Sequence, residues 1–107
     1  MRIDKILSDD KLHISFEVFP QKYGQPIEPI IDTVEEISKL HPAFCSVTYG
    51  ANGGASENTV KVASHIKNEL NTPVLAHLTC VGSSKNDIDE KLMQLKDNNI
   101  QNILALR

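Results

Sequence analysis

A chain of 107 residues is enough for one small domain. With 40% hydrophobic and 23% charged residues it has a globular balance, which excludes intrinsic disorder. The net charge is −3 and the basic residues are scattered, so nothing resembles the footprint of a nucleic-acid binder, and no apolar run approaches a membrane span.

The first twelve residues, MRIDKILSDDKL, form a lead-in with acids and no apolar centre, unlike a secretory signal. His13–Phe19, HISFEVF, is rich in strand formers. Ile30, Ile31, Val34, Ile37 and Leu40 follow at helical spacing; Pro29 suits the first turn of that helix and Pro42 stops it. Phe44–Tyr49 is a second strand, and Gly50–Ala55 is a glycine-rich loop. Ser56 is placed to cap a second helix with Val60, Ala63, Ile66 and Leu70 inward; Asn71 and Pro73 end it. Val74–Cys80 is a third strand. Ser84 and Asp87 have capping-box spacing ahead of a third helix, with Ile88, Leu92 and Leu95 inward. Asn98 and Asn99 suit a left-handed helix end, and Ile100–Leu106 is a fourth strand.

The order is β-α-β-α-β-α-β. Each connection is long enough for a crossover helix, so the strands are expected to be parallel and the crossovers right-handed. Part of a (β/α)8 barrel and an open doubly wound sheet both fit this order. The first βα turn, PQKYGQP, has no GxGxxG, which argues against a dinucleotide-binding doubly wound sheet. The expected fold is α/β, the first half of a TIM barrel. Cys45 and Cys80 form no CxxC and read as buried apolar residues with reduced thiols; the cytoplasm is the expected compartment.

One polar residue recurs near the end of each strand: Glu17, Thr48, His77 and Arg107. The near-constant spacing implies a common height at the carboxyl edge, where βα barrels carry their chemistry. Glu17 lies between Phe16 and Phe19 in an apolar strand, a position carboxylates avoid unless paired or functional. Burial there favours the proton-carrying form, as a general acid requires. The bland alternative is an ion pair, for example with Arg107. For His77 alone, a satisfied core histidine is the commoner outcome, and Thr48 is simply a good strand residue. The loop from Gly50 to Ser56 could meet a phosphate at the helix start, and Tyr49 could stack on a flat ring or pack beneath the loop.

SFEVFP at Ser15–Pro20, PAFCSVTYGANGG at Pro42–Gly54, AHLTC at Ala76–Cys80 and NILALR at Asn102–Arg107 together resemble methylenetetrahydrofolate reductase. Val18 and Gln21 stand where that family commonly has phenylalanine and proline. The resemblance implies an FAD-binding (β/α)8 barrel of one-carbon metabolism and methionine biosynthesis. It reduces methylenetetrahydrofolate to methyltetrahydrofolate with NADH or NADPH. It makes Glu17 the catalytic acid and Thr48, Tyr49, Ala51, His77 and Arg107 flavin-binding residues, with no metal.

Residues 1–107 then correspond to the N-terminal half of the catalytic barrel. The family's Gly-Asp would follow Arg107, so these residues are expected to carry only part of the site. Alone they are expected to bind FAD weakly or not at all, and to self-associate or pair with the remaining half. The rival readings are an inactive half-barrel serving assembly, and another flavin barrel such as a proline-dehydrogenase-like oxidase.

Overall fold

The computed structural model describes residues 1–20, 24–49 and 55–107. A short helix α1 (Ile3–Ile6) precedes β1 (Ser15–Val18), α2 (Glu28–Ser38) and β2 (Phe44–Val47). Helix α3 (Ala55–Ser64) runs on into a wider π-helical turn, His65–Glu69, followed by β3 (Val74–Thr79), α4 (Lys85–Asp97) and β4 (Asn102–Leu106). Helix α1 lies in the stretch that reads from sequence as a bare lead-in.

Local chemistry accounts for most of these boundaries. Pro29 lies in the first turn of α2, where its missing N–H costs nothing. The capping box of α4 is complete: the Asp87 N–H donates to Ser84 Oγ at 3.1 Å, and the Ser84 N–H donates to Asp87 Oδ2 at 2.7 Å. The Ser84 backbone N–H and, after it, the Ser84 hydroxyl hold the Asp87 carboxyl below its ordinary value. Beyond the end of α4, Asn98 caps it with a negative φ and Asn99 alone of the two is left-handed, at φ 63°; the Ile100 N–H reaches Leu95 O and the Asn99 N–H reaches Lys96 O. Asn71 and His41 are also left-handed, at φ 52°, after the second and first long helices.

The four strands form one parallel sheet in the order β1-β2-β3-β4. Consecutive strands as neighbours, joined by right-handed crossovers, place every crossover helix on the same face. A doubly wound sheet would reverse its order and cover both faces. The core confirms the one-sided arrangement. Val18, Cys45, Val47, Val74 and Ala76 of the sheet pack with Val34, Val62, Ala63, Ile66 and Leu95 of the helices. The architecture is α/β with a singly wound parallel sheet, as in part of a (β/α)8 barrel.

Three apolar residues depart from their expected burial. Leu40 is exposed because α2 stops at Ser38, two residues short of it. Leu92 of α4 is also exposed, leaving Leu95 as that helix's buried residue. Cys45 is buried, and burial pushes its thiol pKa up, but Cys80 lies just beyond β3 and is exposed.

Candidate active site

Strand residues alternate between faces. Phe16 and Val18 of β1 turn toward the helices, so Glu17 faces the other way. The same parity puts Ser46 of β2 and Leu75 and His77 of β3 on this second face. Helices α2, α3 and α4 pack on the opposite side. Among the described residues, α1 alone reaches the second face, at its foot, where the Ile3 N–H donates to Asn102 Oδ1.

Glu17 and His77 meet on this face. Oε1 of Glu17 lies 3.4 Å from Nε2 of His77, within ion-pair reach although longer than a usual N–H···O bond. The two environments differ. The His77 side chain is 10% exposed and that of Glu17 49%. Glu17 is therefore not buried as its apolar neighbours in sequence suggest. Phe16 goes to the helix side and Phe19, past the strand's end, is exposed, so neither covers it. The partner of Glu17 is His77, not Arg107.

The register corrects the expectation of a common height. Glu17 pairs with Ser46, and Ser46 with Leu75. Val47 pairs with Ala76, so Thr48 and His77 extend the next row, while His77 itself pairs with Leu104. Arg107 follows Leu106, the partner of Thr79, and is exposed. Register partners lie 46 − 17 = 29, 75 − 46 = 29 and 102 − 75 = 27 residues apart, so Thr48 is level with His77 while Glu17 sits two residues below that row and Arg107 three above it. Glu17 reaches His77 along the diagonal that the stagger creates.

Thr48 and Tyr49 follow β2 directly and are half-buried. The Thr48 N–H donates to Val18 O at 3.0 Å, and Thr59 of α3 donates its hydroxyl to Thr48 O at 2.8 Å. This fixes the backbone where the site begins. Ala51, the glycine-rich stretch after Tyr49 and the Ser56 side chain lie outside the described residues. Ser46 was not singled out from sequence, although its parity with Thr48 marks it as a polar group on the same face. Among the described residues no group of three His, Cys, Asp or Glu could hold a metal, and no helix is long and apolar enough to cross a membrane.

An acid on β1 and an imidazole on β3, in contact across β2 toward the carboxyl ends of parallel strands, can hold and pass a proton. A model of the methylenetetrahydrofolate reductase family matches residues 2–107. The chain belongs to the methylenetetrahydrofolate reductase family. It is 35% identical over 108 residues to a protein of Zea mays named methylenetetrahydrofolate reductase (NADH) 1, covering 98% of this chain and 18% of that one. It is 31% identical over 97 residues to the 5,10-methylenetetrahydrofolate reductase of Escherichia coli, covering 91% of this chain and 33% of that protein. A Buchnera aphidicola protein of the same name is 35% identical over 99 residues, with 92% and 34% covered. The chain thus spans 18% of the maize protein and about a third of the bacterial ones. The family match contains Glu17, Thr48, Tyr49, His77 and Arg107 together.

Proposed function

We propose that this chain is the N-terminal half of the catalytic barrel of a cytoplasmic, FAD-dependent reductase. The enzyme converts 5,10-methylenetetrahydrofolate to 5-methyltetrahydrofolate with NADH or NADPH. The observation that carries the reading is the contact between Glu17 and His77 on the face of a singly wound sheet that the described crossover helices leave open, in a chain of this family.

The residues suit a flavin. A planar ring system needs hydrogen-bonding groups at its edge and a flat or apolar surface against its plane; Thr48 and His77, level with each other on one face, would supply the first, and Tyr49, next along the chain, the second. Arg107 beyond β4 is a cation suited to the cofactor's phosphates. The flavin, when bound, supplies the hydride.

The chain's own chemistry concerns the proton. The one-carbon unit of the substrate bridges two nitrogens, and opening that ring requires one nitrogen to leave. Glu17 protonates the departing nitrogen, which makes the carbon an acceptor of hydride. His77, in contact with Glu17 Oε1, holds the carboxyl in place. Ligands over this face exclude water from the pair and strengthen its polarity. The free thiols of Cys45 and Cys80 suit a reducing compartment.

The test is Glu17→Gln in the flavin-loaded enzyme. Folate reduction falls at least a hundredfold, the lower range for a lost general acid, while flavin reduction by nicotinamide persists. Undiminished folate turnover in this variant would refute the assignment.

A further inference from the structure

We infer that Ser46 is a positioning residue: its small side chain is the low saddle across which Glu17 and His77 make contact. Glu17 is on β1 and His77 on β3, so the two backbones are two interstrand spacings apart, about 9–10 Å. Their side chains nevertheless approach to 3.4 Å and must therefore lean toward each other over β2. On that face β2 presents Ser46 beside Glu17, with Thr48 extending the row of His77.

The burial of Ser46 fits this placement. It is 8% exposed, although α2, α3 and α4 all pack on the other side of the sheet. Glu17 and Leu75 are its neighbours in register, and the Glu17–His77 contact passes diagonally across it. Serine is the smallest polar residue with a side chain, and a branched or longer one here would occupy the space the carboxylate and imidazole cross. The contact depends on the size of residue 46, whatever the chemistry. That it sets the aim of the proton donor rests on the folate-reduction reading above.

The experiment measures whether Glu17 and His77 sense each other. The readout is the ¹⁵N chemical shift of His77 Nε2 in the full chain at one fixed pH, with and without Glu17→Gln. This pair of measurements is repeated in Ser46→Ala and Ser46→Leu. Glu17→Gln is expected to move the Nε2 resonance in the native and Ser46→Ala proteins, and to leave it unmoved in Ser46→Leu. Ser46→Val replaces leucine if amide dispersion shows that Ser46→Leu is unfolded. Persistent coupling with the large residue, loss of coupling with alanine, or no coupling in the native protein overturns the inference. Folate turnover in the flavin-loaded enzyme forms a separate arm: Ser46→Ala retains it and Ser46→Leu loses it. If coupling follows size but turnover does not, the positioning stands and the reductase reading fails.

Discussion

Asn102 offers a sharp test of what ties the chain together. Its Nδ2 donates to Met1 O at 2.9 Å and to Val74 O at 3.1 Å, and its Oδ1 accepts from the Ile3 N–H at 2.9 Å. One side chain at the start of β4 therefore holds both β3 and the N-terminal segment. Helix α1 has four residues, none of them buried, so it depends on this clasp. In Asn102→Ala the Met1 carbonyl, at an exposed end, turns to water at little cost. The buried Val74 carbonyl loses its side-chain donor, a net hydrogen bond of about 0.5–1.5 kcal/mol. With the half-buried Ile3 N–H added, the expected loss is about 1–3 kcal/mol. For a domain of this size that lowers Tm by roughly 5–20 °C. Thermal unfolding followed by far-UV circular dichroism reads it directly. Deleting residues 1–6 is the comparison, because it leaves the Asn102–Val74 bond intact and should cost less than Asn102→Ala. A near-native Tm for Asn102→Ala, or a larger loss from the deletion, would refute the reasoning.

Other consequences follow from the core, the cap and the open face. Ile66→Ala removes a side chain at 1% exposure from the core, in the π-helical turn after α3, and should cost about 2–5 kcal/mol in urea unfolding, whereas Leu92→Ala, on the surface, should cost under ~0.5 kcal/mol; similar losses would mean the core is misplaced. The Asp87 carboxyl is held below its ordinary value, so its contribution is present above the unfolded-state value of 3.8 and is lost as pH falls through the lower folded value. Asp87→Asn should flatten that acid limb of the stability curve, and an unchanged limb would assign it to other groups such as Asp9, which His13 also holds low. Leu104 and Leu106 are exposed on the face away from the helices, beside the β4 edge. Concentration-dependent association in sedimentation velocity should weaken in the paired change Leu104→Lys and Leu106→Lys; undiminished association would locate the contact elsewhere.

Much of the fold is legible in the sequence because it rests on local chemistry. Helical spacing of Ile30, Ile31, Val34 and Ile37, the Ser84–Asp87 cap and the Asn71 and Asn99 ends act within a few residues, so the order of elements can be read along the chain. The helix α1 escapes that reading because four residues carry no periodicity and are held by a side chain a hundred positions away. Glu17 and His77 stand out as misplaced polar groups in apolar strands, and Ser46 does not, because serine in a strand looks ordinary until its neighbours are known.

By itself, the sequence determined the alternation of strand and helix, the parallel sense of the strands and the family motifs they carry. Only the tertiary structure decided which rows of the sheet align, and therefore that Glu17 lies beside Ser46 and reaches diagonally to His77. It also decided that Glu17 is half-exposed while His77 is covered, and that Leu40, Leu92 and Cys80 face solvent. The physical reason is range: capping and periodicity act between neighbours in the chain, whereas register and burial are set by side chains from strands about thirty residues apart packing against one another.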